Sequence, residues 1–325
     1  MCYYYNRRSL YFDGRRVLII NLIKSINFSV FINLILFILR VLGIIIFVPV
    51  TGGLLAGLDR IICAKMQNRK GPPILQPFYD VYKLLQKQST TVNTITRYFI
   101  TLSMFFNIFT VILFGMGADL LLCIFAFTLA CILFVLAGYS SYSPYSFVGA
   151  ERELIQILCY EPMILIFAFG YYQVVNSFKT ADAFALPSPA ILKLPFIFIG
   201  LLYVLTIKLR KSPFDLSMSY HHGHQEIVKG ITTELTGICL AMLEISHWFE
   251  TIFALGLVYL FFIYSYPVSW IVGILICLVV FFLEVVIDNA FARMKWKATL
   301  QMSWIVISVT GGVNLLLLSL FDKGG

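Results

Sequence analysis

Charge is scarce in this sequence: only 12% of its 325 residues are Asp, Glu, Lys or Arg, about half the share of an ordinary soluble domain. With 60% hydrophobic residues and a mean hydropathy of +0.90, that shortage excludes a water-facing globule and makes lipid the main solvent. Cysteine pairs are missing as well. Cys2, Cys63, Cys123, Cys131, Cys159, Cys239 and Cys277 are scattered, mostly inside apolar runs, and no two have CxxC spacing. The chain therefore offers neither a disulfide framework nor an iron–sulfur cluster, and its cysteines read as small core residues. Period-2 strand patterns and internal repeats are absent, which excludes a barrel and the repeat architecture of many transporters. There is no nucleophile beside a base, no phosphate loop and no cofactor cage, so the isolated chain is expected to be non-catalytic and to carry no cofactor or metal of its own. The net charge of +8 does not indicate nucleic acid, because the basic residues sit in short segments between apolar runs.

What is present is length of apolar chain. A helix crosses the hydrocarbon core with about 20 mainly apolar residues, and eight runs qualify: roughly 38–58, 98–116, 119–138, 154–175, 190–208, 237–264, 268–287 and 300–320. The fold class is all-α, a polytopic membrane protein with two long loops carrying amphipathic segments. The domain reading is a basic N-terminal extension over 1–37, an eight-helix membrane domain over 38–320 and a short tail over 321–325. Arg60, Lys65, Arg69, Lys70, Lys83, Lys87 and Arg97 fall on one side, joined by Arg152, Lys208, Arg210, Lys211, Lys229, Arg293, Lys295 and Lys297. The other side holds Lys179, Lys193 and Lys323. This bias places loops 59–97 and 209–236 in the cytoplasm, and the chain in the cytoplasmic membrane. Arg7, Arg8, Arg15, Arg16 and Lys24 conflict with that count. Either an extra turn in the membrane keeps them inside or the chain starts later, with Arg40 snorkelling at head-group level.

Charges inside the spans are the places to look for function, since each costs at least about 2.5–3.5 kcal/mol at mid-bilayer. Glu151, Glu153, Glu161, Asp215, Glu226, Glu234, Glu244, Glu250, Glu284 and Asp288 lie in or at the ends of apolar runs. So many acids in so apolar a chain favour a proton relay over packing with hidden Arg partners. If helical, Glu234 and Glu244 lie about 80° apart around one axis and can face a common interior.

In loop 59–97, the breaker Gly71–Pro72–Pro73 precedes Ile74, Phe78, Val81, Tyr82 and Leu85 at helical spacing. This is an amphipathic helix on the membrane surface, or a docking surface with Arg69 and Lys70 as contact charges. In loop 209–236, His221, His222 and His224 cluster beside Gln225 and Glu226. Without a motif such as HExxH they read as solvated or hydrogen-bonded side chains rather than metal ligands.

Three stretches carry a family resemblance. GLDRIICAKMQNRKGPPILQPFYDVYKLL resembles the first cytoplasmic loop of the complex I subunit 1 family. The stretch from Arg210 through KSPFDLSMSYHHGHQEIVKGITTEL resembles its third loop, and GAERELIQILCYEP the helix start between them. The His-rich third loop, followed by LAMLEISHWFE, is most similar to the membrane subunit of energy-converting nickel–iron hydrogenases of the Ech type. That resemblance implies a non-catalytic anchor coupling ferredoxin-linked electron transfer to proton or sodium movement. It implies hydrogenase large and small subunits, an iron–sulfur subunit and an antiporter-like membrane subunit as partners, with the nickel–iron centre and the clusters held by them. Glu161, Asp215, Glu226, Glu234 and Glu244 match the family's polar path. Asp59, Arg69, Lys70, Arg210, Lys211, His221, His222 and His224 match the region facing the peripheral arm. Redox change in that arm would alter the charge beside the third loop, and buried carboxylates near Glu226 and Glu234 would exchange protons as a coupled group. The alternatives are the equivalent subunit of a quinone-reducing complex I, which would bind quinone, and, more remotely, a stand-alone transporter.

Overall fold

The computed structural model describes residues 5–88, 93–217 and 229–321, with side chains from 31 to 320. Its helices are α1 (Tyr5–Met66), α2 (Gln76–Gln86), α3 (Thr94–Gly115), α4 (Leu120–Tyr139), α5 (Pro144–Val175), α6 (Pro195–Lys208), α7 (Ile238–Tyr259), α8 (Ser269–Ala290), α9 (Trp296–Val306) and α10 (Val313–Phe321). No strand occurs among the described residues. Among the described residues, seven stretches are long and apolar enough to cross a membrane, beginning with Phe31–Met66 and ending with Trp296–Leu320; the shorter apolar helix α6 makes the eighth run. The protein is an all-α polytopic membrane protein.

The run read as 190–208 is α-helical only from Pro195, after a short 3-10 turn at Ala190–Leu192. Pro187, Pro189 and Pro195 fix extended or turn backbone before it, and Pro195 then opens α6 at a first-turn position where its missing N–H costs nothing. The run read as 154–175 extends back to Pro144, a second helix-opening proline. In the last span, the π-turn Ile307–Gly312 interrupts the helix between α9 and α10. Just beyond that turn, Asn314 accepts from the Phe196 N–H at 3.1 Å and donates to the Lys193 carbonyl at 3.2 Å, tying α10 to the start of α6.

Contacts divide the chain into residues 1–46 and 47–325. In the first unit, Phe31, Leu34, Phe37 and Leu39 are exposed. In the second, α4 is the most deeply packed helix. Leu120, Cys123, Ile124 and Ala130 are fully buried, and Ser103 of α3 donates to the Ala130 carbonyl at 2.8 Å. Cys63, Cys123, Cys131, Cys159 and Cys239 are free thiols inside this packing. Glycine permits two close approaches. A Cβ on Gly52 would meet the Trp248 backbone oxygen at 2.9 Å, and one on Gly57 would run into the Ile74 carbonyl. These contacts draw the part of α1 that lies in the second unit against α7 and against the entry to α2.

Candidate functional site: a buried ion network

The site is built on the end of α6. Lys208 is the last residue of that helix. Arg210 then takes a left-handed φ of 52°, which turns Arg210 and Lys211 back into the protein. All three cations are buried, with Lys211 only 5% exposed. Moving a charge out of water costs several kcal/mol unless a partner and further hydrogen bonds compensate. Four helices supply the partners.

One arm of the network gathers around Arg210. Its Nη2 lies 2.7 Å from Oε1 of Glu153 on α5, and its Nη1 lies 2.8 Å from Nδ1 of His247 on α7. Glu250, one turn along α7, lies 3.7 Å from Arg210 and 3.5 Å from Lys208 Nζ. A guanidinium only donates, so Nδ1 of His247 is the acceptor and the ring proton belongs on Nε2. Glu250 also stands 3.2 Å from that Nδ1; it is then held by the cations and by Asn107, whose amide donates to it at 3.1 Å. Ser217 donates to Glu153, and the Gln156 amide donates to the Phe214 carbonyl at 2.5 Å, securing the chain that follows the cations. Lys208 Nζ sits 4.2 Å above the Phe127 ring and 3.0 Å from Cys131 Sγ, a favourable cation–π position for a desolvated ammonium.

The other arm gathers around Lys211. Its Nζ bridges Asp59 of α1 at 2.5 Å and Asp288 of α8 at 3.4 Å. Asp288 also accepts from the Ser212 N–H at 2.8 Å. Cys63 lies 3.5 Å from Asp59, and Asn289 donates to Cys63 at 3.2 Å. Burial works against the Lys211 charge, but Asp59 and Asp288 outweigh it and raise its proton affinity above that of an ordinary lysine. Asp215 lies a few residues on, 3.7 Å from Arg293. Burial pushes its carboxyl up to about 7, with Arg293 pulling against the shift and Asp288 adding to it.

Beside these arms lies a cavity of about 180 Å³ lined by residues of α1, α2 and α7, among them Asp59, Val81, Glu244, His247 and Trp248, together with Arg210 and Lys211. At its rim Arg60 and Asp80 pair at 2.5 Å, both partly exposed. Phe78 of α2 packs on Trp248 with ring centroids 5.2 Å apart, and Val81 is buried. Tyr79, Tyr82 and Leu85 stay exposed. The amphipathic segment is thus a helix docked by one face, with Phe78 and Val81 inward and Tyr82 and Leu85 outward.

Of the residues singled out from the sequence, Asp59, Arg210, Lys211 and Glu244 come together around this cavity. Asp215 lies alongside, paired with Arg293. Glu161 is half-buried farther along α5. Glu234 sits in a separate 3-10 turn, Gly230–Glu234, and accepts from the Tyr142 N–H at 3.3 Å. Gly237, at φ 56°, separates that turn from α7, so Glu234 and Glu244 do not share a helix and the 80° relation between them does not apply. Arg69 and Lys70 are exposed, and Arg69 donates to Gln67. His221, His222, His224 and Glu226 lie outside the described residues.

Sequence reasoning did not assign Lys208, His247, Glu153, Glu250, Asp288 or Asn107 to the site. The acids among them were visible as charges inside apolar runs. Lys208 was masked by its place at a loop boundary, where a lysine ordinarily reports orientation.

The model of the NADH dehydrogenase family matches residues 39–319, a range that contains every residue of the ion network. The chain belongs to the NADH dehydrogenase family. Relatives in this family include hydrogenase-4 component C of Escherichia coli, 26% identical over 283 residues, covering 79% of this chain and 88% of that protein. Formate hydrogenlyase subunit 4 of the same organism is also 26% identical, over 77% of this chain and 89% of its own length. An NADH-quinone oxidoreductase subunit from Carboxydothermus hydrogenoformans is 30% identical over 238 residues, 66% of each chain. Among solved structures, a chain of the membrane-bound sulfane sulfur reductase, an archaeal respiratory membrane complex, superposes with a TM-score of 0.77. It shares 22% identity and covers 87% of this chain and 99% of its own, a likeness of fold. Relatives of this NADH dehydrogenase family member are thus subunits of multisubunit membrane complexes, of both hydrogenase and quinone-reductase kinds.

Proposed function

We propose that this chain is the non-catalytic membrane anchor and ion-coupling subunit of a multisubunit energy-converting hydrogenase. It would seat a peripheral nickel–iron and iron–sulfur arm on the cytoplasmic loops 59–97 and 209–236 and couple electron transfer there to proton or sodium movement. The observation that carries this reading is the placement of three buried cations, Lys208, Arg210 and Lys211, on one short segment leading into the second of those loops. Between them they are held by carboxylates from four helices, Asp59 of α1, Glu153 of α5, Glu250 of α7 and Asp288 of α8. The family relatives that are hydrogenase and formate hydrogenlyase components support the hydrogenase branch.

The physical mechanism is electrostatic. A charge change in a partner docked beside loop 209–236 acts on the segment that holds Arg210 and Lys211. Displacing either cation leaves Glu153 or Asp59 short of compensation, and the cheapest response of a buried carboxylate is to take up a proton. Because one segment carries all three cations, the two arms respond together. No cofactor is required in the chain itself.

A second reading, the quinone-site subunit of an NADH:quinone oxidoreductase, is favoured by the cavity, where Trp248 and Val81 stand beside His247 and Asp59. Purifying the tagged chain from native membranes, with mass spectrometry and a metal assay, separates the two. A nickel-containing large subunit and iron–sulfur partners support the hydrogenase reading. NADH-oxidising partners replace it with the second, and recovery of the chain alone defeats both.

A further inference from the structure

Glu284 stands in α8, only 2% exposed, and among the described residues its Oε2 has no hydrogen-bond partner. It lies one helical turn before Asp288, so the two carboxyls share a face of α8. Asp288 is engaged: it accepts from the Ser212 N–H and from Lys211. Lys211 is engaged too, since it also holds Asp59. Two carboxylates therefore share one ammonium, and the carboxyl of Glu284 stands beside them without one of its own.

Among the described residues, the charged groups that act on Glu284 are Lys211 and Asp288. From α7, which packs on α8, Glu250 and His247 belong to the other arm, with Arg210. From α6, Lys208 is taken up by Glu250 and Cys131. An ionised carboxylate buried without partner or hydrogen bond costs far more than a neutral carboxylic acid. A single proton on Glu284 accounts for both the unpartnered oxygen and the shortage of cations around it.

We propose that Glu284 is a proton-carrying group of the ion path, exchanging its proton with Asp288 under the control of Lys211. In the forward step the O–H bond on Glu284 breaks and an O–H bond forms on Asp288. The negative charge moves the other way, from Asp288 to Glu284. The Lys211 ammonium, released by the neutralised Asp288, keeps Asp59 and turns toward Glu284. The reverse step restores the starting state, and no oxidant or reductant takes part. Lys211 follows Arg210 directly in the chain, so motion of that segment reaches Glu284 through the ammonium. The role in transport rests on the ion-coupling reading above; the buried proton does not.

The test uses the assembled complex in lipid nanodiscs, with infrared difference spectra between acidic and alkaline buffers in H₂O and D₂O. A protonated-carboxyl band that shifts in D₂O and is lost in Glu284→Gln is the expected result. Glu284→Asp keeps the band at a shifted position and carries the same test if the Gln variant does not assemble. A band that neither variant alters overturns the proposal. In proteoliposomes, Glu284→Gln is expected to lose ion uptake while electron transfer continues, and Glu284→Asp to recover part of it. Unchanged uptake in Glu284→Gln overturns the carrier role. Should Glu153→Gln and Glu250→Gln also leave uptake unchanged, it is the ion-coupling reading that fails, whatever the infrared band shows.

Discussion

Arg210 and Glu153 meet inside the protein, Nη2 to Oε1 at 2.7 Å, with neither residue more than 8% exposed. The contact joins the left-handed turn after α6 to the N-terminal third of α5, and it holds a non-glycine residue at φ 52°, a conformation that costs about 1–3 kcal/mol. Removing one member leaves the other charge buried and uncompensated, which costs about 3–5 kcal/mol. Arg210→Met and Glu153→Ala are each expected to lower the thermal midpoint of the complex and the amount of subunit in membranes. The double variant is expected to lose less than the two single losses added, a coupling that a double-mutant cycle measures. Additive losses would show that the pair is not coupled.

The close approach of α1 to the entry of α2 makes a second prediction. A Cβ on Gly57 collides with the backbone carbonyl of Ile74, and one on Gly53 collides with the Phe78 ring. Backbone cannot swing aside as a side-chain tip can, so Gly57→Ala is expected to cost about 1–3 kcal/mol and to lift α2 from α7. Thiol labelling of a Val81→Cys reporter, buried in the native packing, is expected to speed up in that background. Gly312→Ala, whose Cβ meets nothing within 4 Å, is expected to leave labelling unchanged. Equal labelling in both backgrounds would mean that Gly57 does not set the position of α2.

Asp215 carries a pH dependence. Its carboxyl lies near 7 against an ordinary 3.8, through burial, with Arg293 opposing the shift. A folded-state value above the unfolded one means that the folded protein holds the extra proton between those limits. Stability is therefore full below about pH 4 for this group and falls as pH rises through about 7, by about 1.4 kcal/mol per pH unit within that window. Asp215→Asn is expected to flatten the thermal midpoint between mildly acidic and neutral pH. An unchanged slope in that variant would place the titrating group elsewhere.

The spans were legible in the sequence because burial in lipid demands about 20 apolar residues in a row, and each of the eight runs fell on an apolar helix. The start of α6 was less so, since Pro195 falls inside a run that hydropathy alone continues, with Pro187 and Pro189 just before it. For the site, Glu153, Glu250 and Asp288 could be flagged as costly charges, yet their partners could not be named. Lys208, Arg210 and Lys211 look like orientation signals, and a count of basic residues does not distinguish an ammonium in water from one folded back by a left-handed Arg210. Glu234 and Glu244 fail for a related reason: Gly237 breaks the helix that would have put them on one axis.

The cavity beside Trp248 separates the two functional readings. Ala56 lines it and packs near Val81 and Trp248, so Ala56→Phe directs a ring into a space of about 180 Å³. A quinone-site subunit needs that space for its substrate, and filling it would stop electron transfer. An anchor subunit whose electrons end in the peripheral arm does not. Overpacking costs about 1–3 kcal/mol, so the variant complex is first compared with wild type for subunit content and thermal midpoint. Hydrogen-linked electron transfer in the Ala56→Phe complex is then expected to stay close to wild type. Loss of electron transfer in an intact, fully assembled complex would instead assign the cavity to a quinone and the chain to the quinone-reducing branch.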